Sequence, residues 1–269
     1  MNYIIRSLEL DFQFLKISKL TLFDKILFII NKYYVLFKNL IVGFQSKKSF
    51  AKVFGKKFYF EDKFGTAFLQ SVYVDNHFLN KFIEPDSTIV DVGANIGQFN
   101  FFCFDYLKAK TVYSFEPVKE TFEILKLNNN TNVYNYAISN LNDLSLGFDQ
   151  TSLTASPFFT DSSRMKKVTT KKLDDIDDLK KESKIDLLKI DTEGTELDVL
   201  KASREILQKT KYILIEASIV RESSGNATEL IKFLLNIIPS TELVYVGRPY
   251  IHGDKMTAVD LLFINNNDK

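Results

Sequence analysis

The stretch Ile89–Phe99, IVDVGANIGQF, decides how this chain folds. An apolar run ends in Asp91 and passes through Gly93 and Gly97 before a helical pattern begins near Gln98. Buried strand, tight turn and helix in that order form the opening unit of an open α/β sheet, whose ligand edge lies at the strands' carboxyl ends. Glycines at such a turn let the backbone bend sharply and approach a ligand where a Cβ would clash. The spacing then separates two kinds of ligand. A dinucleotide loop reads G-x-G-x-x-G and sets a pyrophosphate on the helix N-terminus. Here Gly93 and Gly97 enclose Ala94, Asn95 and Ile96, and no third glycine follows. A nicotinamide-dependent oxidoreductase is therefore disfavoured.

Working outward, the pattern recurs. Thr88–Val92, Thr111–Phe115, Val133–Ile138, Asp186–Ile190 and Tyr212–Ala217 are short apolar runs suited to buried strands. Val118–Leu127, Thr195–Leu207 and Ala227–Ile237 between them carry helical spacing. Such alternation predicts an α/β fold with a parallel sheet covered on both faces. Leu243–Val246 and Val259–Ile264 are joined by a dozen residues without a helical pattern, as an antiparallel edge pair would be. Upstream, Phe50–Phe60 reads as a hairpin centred on Gly55, and Asp75–Ile83 as a short helix closed by a Glu84-Pro85-Asp86 turn. Leu144–Phe148 and Lys166–Thr170 read as an extra hairpin, and its Ser/Thr-rich loop, Asp149–Arg164, has the length of a lid or binding loop. The Asn-rich patch Asn128–Asn132 reads as polar loop with no chemistry. The expected organisation is a basic helical extension over 1–48, a hairpin and helix over 49–84, and the α/β domain over 85–269 with an insertion at 144–170.

Acidic residues gather at the strand ends. Glu116 closes the second strand 19 residues past Gly97, where a carboxylate can accept hydrogen bonds from both hydroxyls of a ribose. Asp191, Glu193 and Glu196 crowd the fourth strand's end in LKIDTEGTE (Leu188–Glu196), and Glu216 ends the fifth. Each has a plainer use as well. Glu193 and Glu196 suit the first turn of a helix starting at Thr195, and Glu216 suits a pair with Lys189 on the neighbouring strand.

The strings DVGANIG, SFEP, KLDDI, LLKIDTEGTELDVL and VDLLFI together resemble the FkbM family of class I S-adenosylmethionine-dependent methyltransferases, from about Ile89 to Ile264. The resemblance implies a seven-stranded, mostly parallel, doubly wound sheet. It implies S-adenosylmethionine as cofactor and methyl transfer to a hydroxyl of a sugar, glycolipid or secondary metabolite. It also implies that Asp91, Gly93, Ala94, Asn95 and Gly97 cradle the cofactor, that Glu116 holds its ribose, that Ala137 lies at the adenine, and that Asp191 meets its amino group. A hydroxyl is a poor nucleophile until its proton leaves, so a general base is expected. Asp191, Glu193, Glu216 and His252, the last in an Arg248–Lys255 loop, are the candidates. Asp191, Glu193 and Glu216 offer oxygen ligands of the sort hard cations prefer, but their spacing demands no metal and none is expected. A methyltransferase-like scaffold without catalysis is the alternative from another class, and the intact loop and Glu116 argue against it.

Composition bounds the rest. With Cys103 as the lone cysteine and only two histidines, disulfides and Cys/His metal sites are excluded, which fits a cytoplasmic chain. Residues 1–63 hold 12 Lys/Arg against 5 Asp/Glu, whereas residues 64–269 hold 23 against 29. An acidic body lacking an N/D-P-P-Y/F motif speaks against a nucleic-acid acceptor. Between Leu20 and Ser46 no uncharged run exceeds eight residues, too short for a spanning helix. What remains is one or two amphipathic helices suited to an anionic membrane, to a partner, or to the protein's own body. On a membrane they would bring the protein to membrane-linked glycan or glycolipid substrates at its inner face. Oligomeric state is not legible in the sequence.

Overall fold

The computed structural model describes residues 3–42, 49–61, 65–129, 131–142, 145–149, 165–219, 226–252 and 255–267. Helices α1 (Tyr3–Leu15) and α2 (Leu22–Val42), the hairpin β1 (Ser49–Val53) and β2 (Lys56–Phe60), and helix α3 (Gly65–Asn76) come first. The α/β part begins with β3 (Thr88–Val92), α4 (Gln98–Phe102), β4 (Thr111–Phe115), α5 (Lys119–Asn128), β5 (Val133–Tyr134) and β6 (Ala137–Ile138). A second hairpin, β7 (Ser145–Asp149) and β8 (Met165–Lys171), and helix α6 (Asp177–Lys181) lead to β9 (Ile185–Ile190), α7 (Glu196–Lys201), α8 (Arg204–Gln208) and β10 (Thr210–Ser218). Helix α9 (Ala227–Ile237) and the strands β11 (Thr241–His252) and β12 (Lys255–Asn265) follow.

Seven strands form the main sheet in the order β11-β12-β10-β9-β3-β4-β5. The five from β10 to β5 are parallel, and β12 runs antiparallel to both of its neighbours, β10 and β11, which is the expected mostly parallel, doubly wound architecture. Strand order reverses between β3 and β9, so a ligand crevice opens at their carboxyl ends. The β3 run Ile89-Val90-Asp91-Val92 is buried throughout, because a central parallel strand has helices over both faces. One core lies under α1–α4 and the first hairpin and includes Phe14, Tyr73, Phe102 and Leu187. The other lies under α6–α9 and includes Val90, Leu188, Leu207 and Leu234.

The N-terminal helices belong to the first of these cores. Phe14, Ile17, Phe28 and Val35 point inward and are buried; each such side chain contributes about 1.5–3 kcal/mol. The charges that interrupt the apolar run are partly spent inside. Lys32 is fully buried and donates to the Asp11 carboxylate, to Gln70 Oε1 at 3.0 Å and to Ser7 Oγ at 3.0 Å. Gln70 Nε2 and the Tyr33 hydroxyl also donate to Asp11, at 2.9 and 2.7 Å, so α1, α2 and α3 share one polar junction. Among the described residues no helix is long and apolar enough to cross a membrane.

Several sequence expectations are corrected. The helix at Asp75–Ile83 is instead α3, ending at Asn76, followed by a 3-10 turn at His77–Lys81. The third strand splits, with β5 in the main sheet and β6 paired to β8 in a three-stranded sheet. The Asn135 side chain makes the break by donating to the carbonyls of Glu116 and Pro117 at 2.8 and 2.9 Å. The helix at Thr195–Leu207 breaks after α7 because Asp174 accepts from the backbone N–H groups of Glu205 and Ile206, restarting it as α8. The Arg248–Lys255 loop is mostly strand: β11 runs to His252, with three register shifts and Pro249 tolerated at the sheet edge. Residues 150–164 of the insertion's loop lie outside the described residues.

The buried junction yields a stability prediction. Lys32→Met leaves Asp11 charged, buried and short of its cation, and should cost about 3–5 kcal/mol in urea unfolding at neutral pH. The double variant Lys32→Met, Asp11→Leu should recover most of that loss.

Candidate active site

The loops leaving β3 and β9 meet almost without a gap. Asp191 N–H donates to Val92 C=O at 3.0 Å. A Cβ on Gly93 would lie 1.8 Å from the Asp191 carbonyl oxygen, and Gly93 has φ +86°. Both the left-handed backbone and the neighbouring carbonyl demand glycine there. Gly97, at φ +90°, has Leu125 Cδ1 2.9 Å from where its Cβ would be. Asn95 adopts φ 49°, a conformation that asparagine tolerates better than most residues.

The loop's backbone donors are already engaged. Gly93 and Ala94 N–H donate to Phe115 C=O at 3.0 Å each, and Gly97 N–H to Ala94 C=O at 2.9 Å. Asn95 N–H donates to Glu116 Oε2 at 3.0 Å, and Ile96 N–H to Asn95 Oδ1 at 2.7 Å. With only the first turn of the five-residue α4 left to meet a pyrophosphate, the loop from Gly93 to Gly97 holds no N–H in reserve. It presents acceptors instead, which suits ribose hydroxyls, an amino group and a cationic sulfur.

Glu116 is the principal acceptor. It is buried, and its Oε1 takes the Val118 N–H at 2.8 Å while Oε2 takes that of Asn95. Burial pushes its carboxyl up to about 7, against the pull of those two N–H groups. Each oxygen keeps a lone pair for a hydroxyl. Ala94 and Ala137 are buried, and Ala137 begins β6. Asn128 ties the first hairpin to this loop, donating to the carbonyls of Tyr59 at 2.9 Å and Ile96 at 2.7 Å and accepting from Tyr59 N–H at 2.7 Å. The Asn-rich patch read as idle loop therefore begins with a clamp.

Beyond the loop stands a group of carboxylates around one lysine. Lys189 Nζ lies 3.0 Å from Asp191 Oδ2 and 3.4 Å from Asp91 Oδ1. Burial opposes its charge, but Asp191 and Asp91 hold the ammonium well above the ordinary lysine value. Asp91 is fully buried, and among the described residues its Oδ2 has no hydrogen-bond partner. Lys189 does not pair with Glu216, as the sequence suggested it would. Glu216 shares a hydrogen bond with Asp191, and burial together with the Asp191 charge pushes Glu216 up to about 10. It therefore stays protonated at neutral pH and donates. Burial works against ionisation of Asp191, yet Lys189 and the Glu216 proton hold its carboxyl below the usual value.

Oxygen atoms of Asp191, Glu193 and Glu216 lie within 4.8 Å of one another, a grouping that would fit a hard divalent cation. Lys189 and the Glu216 proton already offset part of that negative charge. Glu196 does something else: its Oε1 accepts from Thr192 N–H, Thr192 Oγ1 and Gly194 N–H, stapling the turn after β9. Glu193 sits in that turn at φ 55°. His252 ends β11 with its backbone opposite Lys255, and its side chain lies outside the described residues.

One acid escaped the sequence reading. Asp260 on β12 is the register partner of Glu216 and accepts from the Tyr250 hydroxyl at 3.3 Å. Burial and the Asp191 charge push it up to about 7. It stands inside VDLLFI, an apolar run whose pattern announces a strand and nothing more. Nearby, Glu9, Phe12, Gln13, Lys16, Val74, His77 and Arg248 line a cavity of about 320 Å³.

The value at Glu116 fixes a sign. An ionised Glu116 accepts two hydroxyls, and a protonated one must donate, so nucleoside affinity should fall as pH drops through about 7. Calorimetric titration with S-adenosylhomocysteine from pH 8.5 to pH 5.5, as a series at about one-unit steps, should show that loss. Glu116→Gln should bind more weakly and flatten the dependence.

The sequence matches the family described as the methyltransferase FkbM domain over residues 91–246. Comparison with curated proteins returns no match. Among solved structures, a methyltransferase FkbM from Methylobacillus flagellatus is similar at 19% identity and TM-score 0.45, over 74% of this chain and 54% of that one. This chain thus spans about half the length of that relative. M. jannaschii TYW2 in complex with AdoMet is similar at 16% identity and TM-score 0.42, over 82% of this chain and 88% of that one. M. capricolum TrmK in complex with S-adenosyl-homocysteine is similar at 14% identity and TM-score 0.42, over 74% and 67%. The matched span takes in the glycine loop, Glu116 and the acidic end of β9, and the chain belongs to the FkbM family of methyltransferases, whose methyl donor is S-adenosylmethionine.

Proposed function

We propose that the protein is an O-methyltransferase whose acceptor is a hydroxyl of a small molecule: a sugar, a glycolipid or a secondary metabolite. In this reading it works in the cytoplasm and uses no nucleic-acid substrate. The observation that carries it is the place of Asp260, opposite Glu216 in the β10–β12 register and accepting from the Tyr250 hydroxyl, where burial raises its carboxyl to about 7. A general base is most effective when its pKa lies near the working pH.

S-adenosylmethionine, when bound, supplies an electrophilic methyl group on a positively charged sulfur. The chain's residues do the rest. Gly93 to Gly97 and Glu116 hold the nucleoside, Ala137 borders the adenine, and Asp91 and Asp191 favour the positive end of the ligand. Asp191 stays ionised beside Lys189 and so makes a weak base. Protonated Glu216 can donate to the acceptor or to Asp191, and Asp260 takes the hydroxyl proton as the new bond forms. Glu193 and His252 border the same edge of the sheet. The gain from alignment depends on holding donor and acceptor in line and keeping water out.

A base that works ionised gives a rate that climbs as pH rises through its value. With labelled S-adenosylmethionine and a panel of sugar and glycolipid acceptors, kcat should rise through about pH 7. Asp260→Asn should lower kcat by about 10²–10⁴-fold and remove that rise, with cofactor affinity unchanged. Cofactor binding without transfer to any hydroxyl acceptor would instead favour a non-catalytic scaffold.

A further inference from the structure

The helix pair α1–α2 is anchored on one side and bare on the other. Its inner face is held by Phe14, Phe28, Val35 and the Lys32–Asp11–Gln70 junction. Its outer face carries Phe12, Leu22, Phe23, Tyr34, Phe37 and Ile41, each between 61% and 74% exposed. Six large apolar side chains on one pair of helices exceed what scattered surface residues require, and a patch of this kind marks an interaction surface.

The charges beside the patch choose the occupant. Among the described residues of the two helices and their connection, Arg6, Lys16, Lys19 and Lys38 are exposed cations, against Glu9 as an exposed anion and Asp24 as a half-exposed one. Asp11, Lys25 and Lys32 are buried, so they do not cancel this excess. Lys16 lies 4.1 Å over the Phe12 ring, an arrangement that places a cation at the rim of an apolar face. Exposed Arg248 extends the basic rim and donates to Gln13 of α1. A second copy docked by the same face would set these cations against their own kind. An anionic lipid surface offers apolar depth and opposite charge together, the combination that amphipathic interfacial helices recognise. The acidic body, at 23 Lys/Arg against 29 Asp/Glu over residues 64–269, would be held away from that surface. Phe12 and Lys16 also line the cavity that Arg248 borders, so the cavity adjoins this face.

We infer that the outer face of α1–α2 is a membrane-docking surface for anionic bilayers, lying on the interface without crossing it. The inference does not depend on methyl transfer. Its test uses the full chain in flotation with phosphatidylcholine–phosphatidylserine vesicles, against pure phosphatidylcholine vesicles. The expected result is retention on the anionic vesicles alone, weakened by salt. Lys16→Gln and Lys38→Gln should each lower partitioning about fivefold. The double variant Phe23→Ser, Phe37→Ser should stay in the bottom fraction, unbound to vesicles, while keeping its thermal midpoint and S-adenosylhomocysteine affinity. Should that variant fold poorly, the lysine variants still decide the matter. No retention of the native chain, or retention unmoved by the lysine changes, overturns the inference. A concentration-dependent dimer in light scattering that the Phe23→Ser, Phe37→Ser change abolishes would give the face to a second copy and overturn it equally.

Discussion

A carbonyl oxygen occupies the place where a side chain at position 93 would begin. The Asp191 oxygen lies 1.8 Å from the would-be Cβ of Gly93, and that contact locks the ends of β3 and β9 together. The glycine is thus set by the protein's own packing as well as by any ligand. The consequence reaches across the site. Because the two strand ends touch, Asp91 and Asp191 share Lys189, and the cofactor loop and the acid cluster form one surface. A larger residue at 93 would part the loops and dissolve that pairing.

The electrostatics follow from placing so much negative charge in one crevice. Lys189 is a single cation between two aspartates, and burial first, then the neighbouring aspartate charges, raise three of the remaining acids. Glu216 is pushed to about 10, and Glu116 and Asp260 to about 7. Neighbouring carboxyls with values spread this widely divide naturally into a donor, a fixed anion and a base. The engaged N–H groups of the loop add the complementary half. An edge rich in acceptors and short of free donors welcomes a cationic, hydroxyl-bearing ligand and offers little to a diphosphate.

Much of this was legible in the sequence. β3, β4 and α9 fall on the residues where the apolar runs placed them, since buried parallel strands and amphipathic helices write their period plainly. The glycine loop, Glu116 and the β9 acids were found because strand, turn and acid recur at fixed distances. Hydrogen bonds made by single side chains were hidden. Asn135 divides a strand, Asp174 restarts a helix and Asn128 clamps a hairpin, each through contacts that no periodicity reports. Asp260 was missed for a related reason: its place in the acid cluster comes from standing opposite Glu216 across an antiparallel pair, and register is not written in either strand alone. His252 was placed in a loop because it falls among the dozen residues between the last two apolar runs, whereas β11 continues through most of them and carries its irregularities as bulges on an edge.

The contact between Gly93 and Asp191, with the engaged N–H groups beside it, builds a site for a sulfonium nucleoside rather than a dinucleotide. Isothermal titration of the full chain with S-adenosylmethionine, with NAD run in parallel, measures it directly. Saturable binding of S-adenosylmethionine and none of NAD is expected. Saturable NAD binding, or no binding of S-adenosylmethionine by the folded protein, would contradict it.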